Sequence, residues 1–206
     1  MPVITTLQRQ KRNTRRVSVF IDDEFAFGVS DETVLRFGLR TGMEVDDDLR
    51  AAIDGVEQRV QAGLTAQRML SRCMRTENEM RQRLKNKGFS QEVIEESIET
   101  LRRARLLDDE AYAAAYVRDR LLLKPRSASR LRFELRAKGV SENAIDSALS
   151  SEEIDDEANA QVLAERWLDK HPDTDILVQQ RRLSGFLRRR GYSPSTVHAI
   201  LERMNI

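Results

Sequence analysis

Residues 84–98 read LKNKGFSQEVIEESI, residues 135–149 read LRAKGVSENAIDSAL, and residues 187–201 read LRRRGYSPSTVHAIL. Leu84, Leu135 and Leu187 each stand four positions before a glycine, and Lys87, Lys138 and Arg190 directly precede those glycines. An apolar residue and a serine follow in every copy: Phe89–Ser90, Val140–Ser141 and Tyr192–Ser193. Further apolar positions recur six and ten residues after the glycine, as Ile94 and Ile98, Ile145 and Leu149, Val197 and Leu201. Three matches with constant internal spacing are a repeat rather than a coincidence.

The signature predicts a helix–turn–helix corner. Gly88, Gly139 and Gly191 stand just past a helix end, where a positive φ costs glycine little. The basic residues ahead of them suit the negative end of the helix dipole. Ser90, Ser141 and Ser193 then cap the next helix, and Pro194 takes a first helical position that tolerates proline. These glycines are structural, since neither GxGxxG nor a P-loop surrounds them.

Another helix is expected ahead of each corner. In the second copy it opens at LLDDEAYAAAY, with Asp108 as cap and Leu107 packing back on Tyr112. In the third it opens at EIDDEANAQVLAERW, with Asp155 as cap, while the first offers a looser match over residues 64–74. Each unit is then three helices of roughly 45–50 residues, too small to bury its apolar stripe alone, so the copies must stack. The expected fold is mainly α: three tandem three-helix repeats in an elongated, curved array.

Residues 1–45 differ in kind. VITTLQRQ, RRVSVFI and EFAFGV alternate apolar with polar residues at the period of half-buried strands. Asp22–Asp23 marks a tight hairpin turn, which puts Val17, Val19 and Ile21 on one face with Phe25 and Phe27 opposite. Ser30 is placed to cap a short helix, DETVLRF, that Gly38 and Gly42 end. A helix from about Asp47 to Gly63 leads into the array, and the hairpin should dock on it, being marginal alone. The expected modules are 1–45, a linker helix plus first repeat over 46–106, and further repeats over 107–152 and 153–206.

Composition limits the function classes. The chain has 206 residues, of which 33% are charged and only 5% aromatic, so the core is aliphatic and the helices carry solvated outer faces. A single cysteine, Cys73, forms no internal disulfide and is expected as a small core residue in a reducing compartment. The opening residues lack a signal-peptide core, and no run approaches about 18 apolar residues, so the expectation is a soluble, cytoplasmic protein without membrane contact. Two histidines, His171 and His198, lack metal-ligand neighbours and are expected on the surface. No nucleophile elbow or triad is recognisable, and the Asp pairs 108–109 and 155–156 serve as caps. Trp167 and Tyr116 occupy matching core places. The chain is expected to bind rather than catalyse, with neither cofactor nor metal.

Net charge is only +1, but the charge is segregated along the repeats. Arg68, Arg72, Arg75, Arg81, Arg83, Lys85 and Lys87 face two acids in the first copy. Lys124, Arg126, Arg130, Arg132, Arg136 and Lys138 face only Glu134 in the second, and Arg181, Arg182, Arg188, Arg189 and Arg190 face none in the third. The acids collect elsewhere, at Glu92–Glu99, Asp108–Glu110 and Glu152–Glu157. Leu131 and Leu135 define the buried stripe of the corner helix, so Arg130 and Arg132 project to either side and Arg136 falls in line with Arg132. A basic helix at the same place in each repeat suits a phosphate backbone or an acidic protein surface. The plainer alternative is a solvated face paired with nearby acids. Arg9, Lys11, Arg12, Arg15 and Arg16 offer a second basic patch, and the near absence of aromatics argues against base stacking.

The sequence resembles the RecX family of regulators of the RecA recombinase over nearly its whole length. RVSVFIDDEFAFGVS is similar to the family's N-terminal part, and LLDDEAYAAAYVRDRL with the Arg126–Ser127 pair before LRFELRAKGV to its central motif. Arg75–Thr76 before MRQRLKNKGF matches that pair in the first repeat, whereas Val178–Gln179 stands there in the third. The resemblance implies a monomer that enters the groove of the RecA nucleoprotein filament on single-stranded DNA, with duplex DNA as a further ligand. It would block filament extension, strand exchange, ATP hydrolysis and coprotease activity. The residues expected to face the filament are Arg75, Arg81, Arg83, Lys87, Arg126, Arg130, Arg132, Arg136, Lys138, Arg182, Arg188 and Arg189. The rival reading is a stand-alone DNA-binding helix–turn–helix repeat protein, disfavoured because charge runs along all three copies rather than one recognition helix.

Overall fold

The computed structural model describes residues 2–11, 13–152, 154–172 and 175–205; Arg12 of the basic N-terminal run and Glu153 of the acidic stretch lie outside them. The described chain forms two compact units. The first holds residues up to Cys73 together with Met80–Leu106; the second holds Met74–Glu79 and the chain from Leu107 onward.

In the first unit β1 (Ile4–Arg9), β2 (Arg16–Ile21) and β3 (Glu24–Ser30) form an antiparallel sheet in that order. Asp22 and Asp23 make the predicted hairpin turn with φ of 47° and 70°, a primed turn whose twist suits the flanking strands. A bulge after Val19 pairs Val19 with Phe27 but Phe20 with Phe25. That extra residue puts Phe25 on the opposite face from its expected place. It is 61% exposed and packs edge-on against Phe20, leaving Phe27 alone with the valines in the core.

Ser30 caps α1 (Asp31–Phe37) by accepting from Thr33 N–H, and Gly38 closes it at φ 58°. Asp46 then caps α2 (Asp47–Leu70). As expected, the sheet docks on this helix, with Ile53 joining Ile4, Val17, Val19, Phe27 and Val29 in one core. The joint is polar as well. Glu57 of α2 accepts from Ser30 N–H and Thr33 Oγ1, both at 2.8 Å, and from Gln61 at 2.9 Å, and pairs with Arg16 at 3.0 Å. A buried carboxylate supplied with this many donors is tolerated.

The expected break at Gly63 is absent. α2 runs unbroken through it, so the linker helix and the first helix of repeat one are a single helix. An interior glycine costs about 1 kcal/mol, and burial of Ile53, Val56, Ala62 and Ala66 along one side outweighs that. Cys73, just beyond, is exposed rather than in the core. The helix ends before it, and Ser71–Met74 lie on the surface.

The corners form as read. α3 (Glu77–Lys85) and α4 (Gln91–Arg103), α6 (Ala128–Ala137) and α7 (Glu142–Ser150), and α9 (Ile176–Arg189) and α10 (Pro194–Arg203) flank Gly88, Gly139 and Gly191, whose φ values are 88°, 82° and 91°. Ser90, Ser141 and Ser193 each accept the N–H of the third residue on, with Pro194 opening α10. α5 (Asp109–Leu123) and α8 (Asp156–Leu168) complete the second and third units, capped by Asp108 and Asp155. Leu131, Leu135, Val140 and Ile145 fill one core and Leu183, Leu187, Tyr192 and Val197 the next. Tyr116 and Trp167 pack against these cores from their edges. His171, expected on the surface, is half-buried: its ring stacks on Trp167 and its Nδ1 meets Trp167 O at 2.7 Å.

Candidate functional site

The second unit contains a joint that is built twice. Thr76 accepts from Glu79 N–H and donates to Lys138 O at 2.7 Å. At the matching place Ser127 accepts from Arg130 N–H, and its own N–H and hydroxyl both donate to Arg190 O, at 3.2 and 3.4 Å. One hydroxyl therefore caps the start of a corner helix and also bonds the last carbonyls of the next repeat's corner helix, relieving unpaired groups at both ends. A second bond spans each joint: Asp109 accepts Glu77 N–H at 2.9 Å, and Asp156 accepts Ala128 N–H at 3.1 Å. Only the first aspartate of each Asp–Asp pair caps its own helix; the second caps its neighbour's. Burial pushes the Asp156 carboxyl above its ordinary value, against the bond from Ala128 and with the nearby Asp155 charge adding to the rise.

Close approach explains why glycine recurs at the joint. A Cβ on Gly139 would lie 2.4 Å from Asn78 Cβ, and one on Gly191 would lie 2.5 Å from both Arg130 Cβ and Ser127 Oγ. At Gly88 a Cβ would meet nothing within 4 Å. The corner fold needs only positive φ; the second and third glycines also make room for the preceding repeat.

The joint between α6 and α9 gathers arginines. Glu134, with an 11% exposed side chain, accepts from Tyr116 OH at 2.8 Å and Arg130 Nε at 2.9 Å, and is in contact with Arg126. Arg120 lies over the Tyr116 ring at 4.6 Å; Arg190 lies over Phe186 at 4.5 Å and reaches Pro125 O. Burial pulls the Arg126 guanidinium below its ordinary value, and the cations of Arg120, Arg130 and Arg190 push it the same way while Tyr116 opposes. It stays charged near neutrality all the same. Arg120 Nε and Arg126 Nε are buried without a hydrogen-bond partner, as is Arg75 Nε at the matching place one repeat earlier. Arg126 and Arg130 thus share the Glu134 carboxylate while the cations of Arg120 and Arg190 lie close enough to act on Arg126, a surplus that a phosphate oxygen is suited to answer.

The other expected residues divide into two groups. Arg81 pairs with Glu95, Arg132 with Glu142 and Asp146, Arg136 with Glu142, and Lys138 with Glu79. For the three arginines the acids that the sequence places on a different helix return as partners, because that helix folds back against the corner helix, whereas Lys138 meets an acid of the preceding repeat's corner helix. The plainer reading of the charge run holds for these four. Glu142 is held below its ordinary value by the bond from Arg136, against slight burial and with Arg132 helping. Burial draws the Lys138 ammonium down, but bonds to Glu79 and Tyr112 outweigh it and leave it raised. By contrast Arg83 and Lys87, and separately Arg182, Arg188 and Arg189, are exposed and have no ion-pair partner among the described residues.

Arg120 escaped the sequence reading, which took Tyr116 as core only and the Asp pairs as caps without showing that the second aspartate caps a neighbouring helix. Tyr116 and Arg120 stand one helical turn apart on α5, a spacing visible in the sequence, but nothing there shows that the turn faces α6. Phe133, 60% exposed beside Arg130 at 5.3 Å, is an aromatic on a surface expected to have almost none. In the third repeat the helix starts earlier, at Ile176, capped by Asp175. Val178–Gln179 replace the Arg–Ser pair, and among the described residues no further corner helix follows for a hydroxyl there to join.

Comparison with known proteins settles the family. Models described as the regulatory protein RecX N-terminal domain and the first, second and third RecX three-helix domains match residues 2–46, 64–101, 108–149 and 155–201. The chain belongs to the RecX family. It is 36% identical to a Bacillus subtilis protein named regulatory protein RecX, over 99% of this chain and 78% of that one. A Clostridium botulinum protein of the same name is 31% identical over 100% of this chain and 98% of its own. A crystal structure titled regulatory protein RecX superposes with a TM-score of 0.72 at 28% identity, covering 98% of this chain and all of that one. A Lactobacillus salivarius RecX structure, 22% identical with a TM-score of 0.61 over 73% of this chain, shares the fold. The three matched three-helix domains are the repeats described above, and in this chain Thr76 and Ser127 bond across from one to the next. Among the described residues no helix is long and apolar enough to cross a membrane.

Proposed function

We propose that this RecX-family chain is a negative regulator of RecA that acts by binding, as a monomer in the cytoplasm. It enters the groove of the RecA–single-stranded-DNA filament and inhibits filament extension, strand exchange, ATP hydrolysis and coprotease activity. The observation that carries the reading is the grouping of Arg120, Arg130 and Arg190 about Arg126, with Glu134 paired to Arg126 and Arg130 alone, so that positive charge exceeds what this carboxylate neutralises. A guanidinium fork bonds two oxygens of a phosphate at once, and a filament groove offers phosphates at regular intervals. Unpaired Arg182, Arg188 and Arg189 carry further free charge in the same unit, and the first unit has its own in Arg83 and Lys87. Arg81, Arg132, Arg136 and Lys138 contribute less, since their partners must first be displaced.

The test is RecA ATP hydrolysis on single-stranded DNA with rising amounts of the protein. Inhibition at substoichiometric ratios is expected, and R120Q/R190Q should weaken it about tenfold, the scale of a lost charged contact of 1–2 kcal/mol. Unchanged hydrolysis together with tight duplex binding would refute the filament reading in favour of a stand-alone DNA-binding protein.

A further inference from the structure

Where the N-terminal sheet meets the first repeat, the first unit carries a basic cleft of about 420 Å³ between the turn that joins β1 to β2 and the C-terminal half of α2. Asn13 and Arg15 line one wall; Gln61, Gln67, Arg68 and Ser71 line the other. Gln61, Leu64, Arg68 and Ser71 follow one another at helical spacings of three and four, so a single face of α2 forms that wall. Among the described residues no acid lines the cleft, and Glu57, the acid one turn below, is already committed to Arg16, Ser30, Thr33 and Gln61.

Two cations remain free to act. The Arg15 side chain makes no bond among the described residues, while its backbone is held: its N–H donates to Asn13 Oδ1 and its carbonyl accepts from Asp31 N–H. Arg68 is oriented by bonds to Leu64 O and Thr65 Oγ1 but meets no carboxylate, and its Nη1 has no partner among the described residues. Ser71 Oγ already donates to Arg68 O and Gln61 Nε2 to Glu57, so the two guanidinium groups of fixed root, with the Asn13 and Gln67 amides beside them, supply the charge and the directional donors that a tetrahedral oxyanion needs. The cleft volume lies within the usual range for ligand sites. Exposed Lys11 continues positive charge along the neighbouring edge, where a phosphate beside the bound one would be met, while Arg9 is already paired with Asp31 at 3.3 Å.

We propose that this cleft is a second phosphate-binding site, distinct from the arginine cluster of the repeats, and that it takes the backbone of a single nucleic-acid strand. It needs no recombinase, so its test uses the full-length protein and a labelled oligothymidylate alone, titrated at several salt concentrations. R15Q/R68Q removes up to two phosphate contacts, and each contact adds about 0.7 to the salt slope for a single strand. The log–log slope should therefore fall by about 1.4, and affinity at low salt roughly tenfold, while R15K/R68K keeps most of both. Both side chains lie on the surface without ion pairs, so the melting temperature should not move. Equal slopes for the wild type and R15Q/R68Q would overturn the proposal, as would equal losses in the lysine and glutamine variants. Competition by inorganic phosphate as effective as by the oligonucleotide, phosphate for phosphate, would overturn the strand in favour of a free anion. RecA hydrolysis plays no part here, so this site and the filament reading fail independently.

Discussion

Replacing Gly191 by alanine should destabilise the second unit far more than the same change at Gly88 destabilises the first. All three corner glycines share nearly the same backbone, with φ between 82° and 91°, so the conformational strain is common to them. That strain is roughly 1–2 kcal/mol for an L-residue, partly offset by about 0.4–1 kcal/mol of lost freedom in the unfolded chain. A net cost of about 1 kcal/mol is expected for G88A, where the new methyl enters open space. In G191A the methyl would lie 2.5 Å from Arg130 Cβ and Ser127 Oγ and 3.2 Å from Arg130 N, so the whole joint must shift. Overpacking of this kind adds about 1–3 kcal/mol. The expected difference between the variants is about 2 kcal/mol, or roughly thirtyfold in the unfolding constant. Urea titration followed by far-UV circular dichroism measures it, with a lower midpoint at unchanged m-value as the expected form. Amide hydrogen exchange at Arg130, whose N–H bonds Ser127 in the joint, should speed up in G191A, and exchange at Glu79, whose N–H bonds Thr76, should speed up in G139A. Equal losses in G88A, G139A and G191A would show that positive φ alone explains these glycines, and the close approach between repeats would be refuted.

Three further outcomes follow from the same contacts. S127A removes a helix cap together with the hydroxyl bond to Arg190 O, whereas S90A removes a cap alone; S127A should cost about 1 kcal/mol more by denaturant titration. Asp156 has a folded-state pKa raised above 3.8, so the folded chain binds more protons in the window just above that value and this group's contribution falls as pH rises through it. D156N keeps an acceptor for Ala128 N–H without a charge to bury, so its stability relative to the wild type should rise with pH across that window; a flat difference in melting temperature would contradict the assignment. E57A strands the Ser30 N–H, the Thr33 hydroxyl and Arg16, and a loss of about 3–5 kcal/mol is expected, with β2 and β3 amides exchanging first.

The corner motif was legible because it depends on local chemistry. A glycine past a helix end, a serine at the next start and a leucine one turn back act within a few residues of each other, and all three copies form as read. The hairpin turn was legible for the same reason. The side of the sheet that Phe25 takes was not, because a one-residue bulge reverses facing and leaves no mark in an alternating pattern. Gly63 misled because a glycine lowers helix propensity whether or not burial outweighs it, and burial belongs to the packed chain. Among the site residues, Arg126 and Arg130 were found through the repeat, but the acids opposite Arg132 and Arg136 lie on the next helix and pair only once it folds back.

By itself the sequence determined the number of repeats, their caps and turns, the excess of arginine on the corner helices and the resemblance to RecX regulators. These depend on residue type and on spacing along the chain. Only the tertiary structure decided which arginines keep free charge, since that depends on which acid comes within reach in space. It also decided that Thr76 and Ser127 each serve two helices at once. A hydroxyl shows in a sequence the helix that it begins, but the carbonyl that it bonds 62 or 63 residues away is reached only when one repeat stacks on the next.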